Sequence, residues 1–371
     1  MIYLTYNDQP NGIYYSQVID VVNYLNNIQS KEKVKLVALI SIRNFFENRK
    51  KIKARLPDAV VLPMAPGASR WKWNLFQLNS VSGKEKIMSR GPFATALALK
   101  LKQNGQTKKV IFDARGAYKA ELNEYNVVND EILKSEISGI EQDVLRRSDT
   151  ILSVSDALVN YWKSDYNFDS HKHVVIPCTL SNDFVFNFPP EYELANYKKE
   201  AGFNQDDIVV VYSGSSAGWQ SFSLVERKMT EVMEKNVKVK LLWLTNNFDR
   251  NSDFVKKFKD RIITNWLQPK DVRNYLLAAD YGILYREESV TNRVASPVKF
   301  AEYLSCGLNV LISENLGDFS GFVKEQGCGQ SGDKAWDLKH LNYEAKKRNH
   351  DLAMKNLTKD NFKEKYLFLM A

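Results

Sequence analysis

At 371 residues the chain is long for one hydrophobic core and comfortable for two domains. With 44% hydrophobic and 26% charged residues, and no apolar run near the ~18 residues of a spanning helix, it excludes membrane-embedded and disordered classes. The net charge of +8 is lopsided: residues 31–120 hold 20 Lys/Arg against 5 Asp/Glu, so the basic half implies an anionic partner or a solvated basic face.

In chain order, residues 2–6 read as a strand, followed by the loop Asn7-Asp-Gln-Pro-Asn-Gly12 and a helix over 16–25. Apolar, β-branched runs at 34–40, 59–62, 110–112 and 150–154 predict further strands, and 93–103 and 129–147 predict helices. Between 177 and 205, Ser-Asn-Asp, Phe-Pro-Pro and a polar stretch break the alternation and mark an interdomain connection. Strands at 209–212, 240–244, 261–264, 281–285 and 309–312 then resume, with a helix over 269–279. Apolar, non-alternating strands separated by helices predict parallel sheets covered on both faces. The expectation is an α/β protein of two doubly wound, Rossmann-like domains facing each other across a cleft. Residues 1–180 form the first, 181–355 the second, and a helix within 356–371 returns to the first.

Two strand ends carry candidate chemistry in the second half. Strand 209–212 runs into Ser213-Gly-Ser-Ser-Ala-Gly218, where Gly214, Ser215 and Ser216 allow a phosphate close to the backbone and the following helix offers free amides. The second is Tyr285-Arg-Glu-Glu-Ser-Val-Thr-Asn-Arg-Val-Ala-Ser-Pro-Val-Lys-Phe-Ala-Glu-Tyr-Leu-Ser-Cys-Gly. There Ser296 reads as an N-cap and Pro297 as the first helical residue, with Lys299 and Glu302 neighbours at i and i+3. Amides, a lysine and a carboxylate thus converge at the carboxyl edge of a parallel sheet, where such folds bind ligands.

The pattern Ser-Pro-x-Lys-x-x-Glu-Tyr-Leu-x-x-Gly resembles the C-terminal domain of family 4 glycosyltransferases of the GT-B fold, in particular their bacterial surface-polysaccharide members. Ile263-Thr-Asn-Trp-Leu-Gln-Pro and Leu277-Ala-Ala-Asp-Tyr-Gly-Ile extend the similarity, as do the segments from Glu141 to Leu158 and from Val175 to Phe184. The resemblance implies a retaining transfer from a nucleoside-diphosphate sugar, UDP or GDP, with no cofactor. The acceptor would be a glycan or a lipid-diphosphate-linked glycan. Glu302 would hold the ribose hydroxyls, because a carboxylate accepts from both groups of a vicinal diol. Lys299, Arg286, Ser296, Pro297 and the Gly214–Ser216 turn would surround the diphosphate, with Asn265, Trp266 and Leu267 near the base. The first loop, with Gly12, would touch donor or acceptor.

Two departures from the family pattern stand out. The glutamate that many relatives carry eight residues before Glu302 is Val294 here, so Glu287 or Glu288 would replace it or the contact is absent. Many relatives also place a histidine near the transferred sugar, whereas His171, His173, His340 and His350 all lie elsewhere. Asp113, Arg115 or Glu121, following strand 110–112, would then supply any proton carrier or orienting group; an Asp–Arg pair securing a loop is the alternative.

No metal is implied, since the chain has no Asp-x-Asp, and His171 and His173 lack further ligands nearby. Cys178, Cys306 and Cys328, far apart, suit free thiols in a reducing compartment. With an N-terminus lacking a basic and apolar leader pattern, they lead us to expect a cytoplasmic protein. In residues 40–56, Ile42, Phe45, Phe46, Ile52 and Leu56 fall near one side of a helix, and Ser69-Arg-Trp-Lys-Trp-Asn-Leu-Phe mixes aromatics with cations. That composition suits peripheral contact with an anionic membrane, possible at the inner face of the plasma membrane, as well as it suits a core helix with solvated charges. An epimerase of the same fold and an inactive binding homologue remain the competing readings. A nucleic-acid partner is not expected, because no binding motif appears.

Overall fold

The computed structural model describes the chain except residues 29–31, 66–67, 82, 126–130, 170–171, 215–220, 246–248 and 250, and only the backbone of 68–69 and 131–133. Two compact units result: Met1–Ser181 together with Lys359–Ala371, and Asn182–Thr358.

Unit 1 is built on seven parallel strands: β1 (Ile2–Tyr6), β2 (Lys35–Ile40), β3 (Val60–Pro63), β4 (Ile87–Arg90), β5 (Val110–Asp113), β6 (Thr150–Ser153) and β7 (His173–Val175). Their order is β3-β2-β1-β4-β5-β6-β7, so the winding reverses between β1 and β4. Strands such as Leu36–Ile40 are buried throughout because helices cover both faces, which is why their sequences are apolar rather than alternating. The helix Lys363–Met370 completes this core with Tyr366, Leu369 and Met370. Two lysines fasten it: Lys86 Nζ donates to the Met370 carbonyl at 2.8 Å, and Lys359 Nζ to the Leu180 carbonyl at 2.7 Å.

Unit 2 repeats the plan with β8 (Ile208–Ser213), β9 (Val239–Leu244), β10 (Ile262–Asn265), β11 (Tyr281–Leu284), β12 (Asn309–Ile312) and β13 (Gly329–Ser331). The order β10-β9-β8-β11-β12-β13 puts its reversal between β8 and β11. Among the described residues no helix is long and apolar enough to cross a membrane.

Some local expectations are corrected. The polar stretch after Pro190 is a helix, Glu191–Glu200, with Glu191 and Glu193 in its first turn and Lys198 and Lys199 in its last. Those charges complement the helix dipole, and Leu194 is buried on its inner side. The first helix begins earlier than residue 16: Asn11 caps Gly12–Tyr14 by accepting from the Tyr14 amide at 3.1 Å. Gly12 is therefore an exposed first helical residue, and a Cβ there would meet nothing within 4 Å.

Candidate active site

The carboxyl edge of unit 2 gathers most of the motif. Arg286, just beyond β11, is buried; its amide donates to Ser313 Oγ at 3.2 Å and its guanidinium to Asn292 Oδ1 at 3.3 Å. Asn292 Nδ2 in turn donates to the Glu287 carbonyl at 3.1 Å, while the Glu287 amide donates to Ser221 Oγ at 3.0 Å. The loop after β11 is thus tied both to the loop after β12 and to the helix after β8.

The helix Val298–Ser305 carries the lysine and the glutamate. Lys299 Nζ lies 2.6 Å from Glu302 Oε2, and Glu302 is only 8% exposed, so this pair is not a solvated surface bridge. The helix starts one residue later than its sequence suggests. Pro297 occupies the N-cap position and its carbonyl accepts from the Phe300 amide at 3.0 Å, leaving the buried Ser296 ahead of the cap. The backbone of Pro297 is extended (ψ 124°), which keeps it outside the helix; its ring-fixed φ of −69° suits either placement.

Tyr303 fixes this helix in place. Its ring packs on Gly282 of β11 so closely that a Cβ there would lie 2.3 Å from a ring carbon. Its hydroxyl accepts from the Ser213 amide at 3.0 Å, at the end of β8. The helix closes with Gly307 at φ +84°, where the Leu308 amide donates to the Tyr303 carbonyl and the Gly307 amide to that of Leu304. This is a Schellman termination, which requires the left-handed conformation glycine adopts without strain. Phe300 stacks on Phe319 with centroids 4.1 Å apart, bracing the other side.

Arg286, Glu287, Ser296, Pro297, Lys299 and Glu302 therefore share the β11–β12 end of the edge, and Gly214 follows β8 beside it. The Gly214 amide donates to the Leu244 carbonyl at 3.2 Å. Ser215 and Ser216 lie outside the described residues. Asn265 ends β10, two strands along from β8; Trp266 beyond it is 64% exposed and Leu267 half-buried. At the position of the missing glutamate, Val294 is 2% exposed. Glu288 pairs with Arg293 at 3.4 Å, and Glu287 is exposed.

At the carboxyl edge of unit 1, Asp113 is wholly buried at the end of β5. Arg115 grips both its oxygens, at 2.7 and 3.0 Å, and Tyr3 donates to it from β1. Arg90, ending β4, stands 4.0 Å from Asp113 and 3.6 Å from Asp8 after β1, so it bridges the reversal point of the sheet. Sequence reading missed Arg90 and Asp8. The usable signal was an arginine directly before Gly91-Pro92, which open a buried helix.

Glu121 stands in the first turn of the helix Tyr118–Tyr125. Glu141 holds that helix start, accepting from the Tyr118 and Lys119 amides, both at 3.2 Å, and from the Tyr166 hydroxyl at 2.9 Å. Burial pushes the Glu121 carboxyl up to about 7, and the neighbouring Glu141 adds to the shift.

Two parallel sheets of this winding, each with one reversal point, give the chain the GT-B fold, of the type found in family 4-like glycosyltransferases. No family model matches the sequence. The Bacillus subtilis (strain 168) protein TuaH, named provisionally as a teichuronic acid biosynthesis glycosyltransferase, is 24% identical over 226 residues. That match covers 58% of this chain and 53% of TuaH, so the chain spans about half the length of the curated relative it matches. Among solved structures, a glycosyltransferase from Rickettsia africae ESF-5 superposes with a TM-score of 0.67 at 12% identity, covering 100% of this chain and 97% of that one. Anabaena Alr3699/HepE, solved with UDP and glucose, gives 0.64 at 10% identity, with 100% and 98% covered.

Proposed function

We propose that the chain is a glycosyltransferase that moves a sugar from a nucleoside diphosphate to a hydroxyl of a glycan or lipid-linked glycan, with retention at the anomeric carbon. The observation that carries this reading is the Lys299–Glu302 pair, on a helix that Tyr303 holds against Gly282 of β11 and the carboxyl end of β8. Glu302 accepts from both ribose hydroxyls, and Lys299 and Arg286 face the diphosphate. As the diphosphate departs, positive charge builds on the anomeric carbon and negative charge on the leaving oxygens. Fixed cations and helix amides act on that developing charge, each contributing on the order of 3–4 kcal/mol. No metal is needed for this role when cations are already in place.

Unit 1 takes the acceptor in this reading. Asp113 orients Arg115 there, and the Glu121 carboxyl, raised by burial to about 7, is a carrier for a proton near neutrality. The UDP and glucose bound by the Anabaena relative support a UDP-sugar donor. The teichuronic acid in the name of the Bacillus relative supports a surface-polysaccharide acceptor. The basic first half of this chain supports work at an anionic membrane surface on the cytoplasmic side.

The test is a thermal-shift series with UDP, GDP, CDP and ADP on the wild type, Glu302→Ala and Glu302→Gln. One nucleotide stabilises the wild type selectively, and both variants lose most of that shift. No stabilisation by any of the four at millimolar concentration would overturn the reading.

A further inference from the structure

Among the described residues, ten large apolar side chains stand out as exposed, and five of them fall between residues 13 and 76: Ile13 (52%), Ile42 (53%), Phe46 (83%), Trp73 (66%) and Phe76 (85%). They leave the sheet of unit 1 at one place. Ile13 follows β1, Ile42 and Phe46 follow β2, and Trp73 and Phe76 follow β3, three strands adjacent in the order β3-β2-β1.

Hydrogen bonds hold these segments at the carboxyl edge. The Met64 amide donates to the Ile40 carbonyl at 2.7 Å, joining the ends of β2 and β3. Gln77 Nε2 donates to the Pro63 carbonyl at 2.9 Å, and the Ala65 amide to Asn74 Oδ1 at 2.8 Å, which brings the Trp73–Phe76 turn back onto the end of β3. Asn48 Nδ2 donates to Gln9 Oε1 at 3.2 Å, linking the helix after β2 to the loop after β1. The apolar stripe expected on residues 40–56 is thereby divided. Ile52 is buried and Phe45 and Leu56 pack on the core, while Ile42 and Phe46 face out.

The surrounding charge selects the partner. Residues 42–76 contain eight Lys/Arg against two Asp/Glu, and Arg43, Arg49, Lys50, Arg70 and Lys72 are all exposed. Arg70 sits 5.2 Å from the centre of the Trp73 ring, so one cation and one aromatic are presented together. Nucleic acid would account for the cations and, through base stacking, for the aromatics, but not for the two exposed isoleucines, Ile13 and Ile42, which neither phosphates nor bases require. An interface of anionic lipid head groups over acyl chains takes all three.

We infer that the Ile13–Ile42–Phe46–Trp73–Phe76 surface, with its ring of cations, seats unit 1 on an anionic bilayer. Being on the carboxyl edge, the same edge as Arg90 and Asp113, it brings the acceptor side of unit 1 to the head groups. A lipid-anchored acceptor would then be met at the membrane plane rather than extracted from it. The inference deepens the acceptor half of the proposed function and rests on that reading only for what the membrane delivers.

The test is co-sedimentation of the full chain with vesicles of phosphatidylcholine alone or with roughly one third phosphatidylglycerol. The wild type sediments with the anionic vesicles and stays in solution with the neutral ones. Removing two cations, Arg70→Ser/Lys72→Ser, weakens partition about fivefold for each charge. Trp73→Ser/Phe76→Ser abolishes the binding that survives about 0.5 M salt, where surface charge is screened. Both double variants keep the wild-type melting temperature and its nucleotide shift, since these side chains are exposed. A wild type that ignores anionic vesicles, or an aromatic double variant that partitions like it, overturns the inference. So does duplex DNA binding that the cation variant loses while vesicle binding is unaffected. Vesicle binding as described without any nucleotide shift would support this surface while removing the donor reading, so the two stand or fall separately.

Discussion

The Ser213 amide donates to the Tyr303 hydroxyl at 3.0 Å, joining the end of β8 to the helix that bears Lys299 and Glu302. Tyr303→Phe leaves that buried N–H without a partner, at a cost of about 1–3 kcal/mol. Urea unfolding of the variant should show this loss, and nucleotide affinity should fall with it, because the Gly214 turn is no longer held in register with the helix. Gly282→Ala attacks the same contact from the other side. Its Cβ would overlap the Tyr303 ring, and overpacking of this kind costs roughly 1–3 kcal/mol.

Lys299→Met separates donor binding from catalysis. The lysine is proposed to act on the diphosphate as it leaves, so kcat should drop about a hundredfold or more while nucleoside monophosphate affinity changes little. Steady-state rates alongside titrations with UMP and UDP would distinguish this from a structural bridge, whose loss would lower the melting temperature and spare kcat.

At Asp113 the expectation is primarily one of stability. Arg115→Met strands a wholly buried carboxylate, and breaking such a pair costs about 3–5 kcal/mol. Denaturant unfolding should show an early transition for unit 1. A nucleotide shift retained by unit 2 would establish that the damage is local.

The raised carboxyl of Glu121 has a definite pH signature. Between its ordinary value near 4.5 and about 7 the folded state binds more protons than the unfolded chain. Its stabilising contribution is therefore complete below about pH 4.5 and is lost as pH rises through 7. Glu121→Gln should flatten this decline, leaving the melting temperature little changed at pH 5 and higher than wild type at pH 8. If Glu121 also carries the proton in transfer, the same variant removes the limb of the rate profile near pH 7.

Much of the fold is legible in the sequence because buried parallel strands need continuous apolar runs. Three strands escaped notice, each giving the rule little to work on. Ile87-Met-Ser-Arg has two apolar residues beside Lys84-Glu85-Lys86, His173-Val-Val is only three residues long, and Gly329-Gln-Ser at the sheet's margin has no apolar side chain. All three are held by pairing with their neighbours, β4 with β1 and β5, β7 with β6, β13 with β12. Lys299 and Glu302 could be read from helical spacing alone. The charge bridge through Arg90 could not, since its partners Asp8 and Asp113 are brought together only by the order of the strands.

The docking of Lys363–Met370 into unit 1 has a consequence for biosynthesis. Tyr366, Leu369 and Met370 fill the same core as Tyr3 and Val18, yet they are translated after every residue of unit 2. On the ribosome, unit 2 can close as soon as its own strands have emerged, whereas unit 1 waits with an open hydrophobic seam for residues more than a domain away. A chain truncated before Lys359 should accordingly keep unit 2 folded while its first half engages chaperones or aggregates.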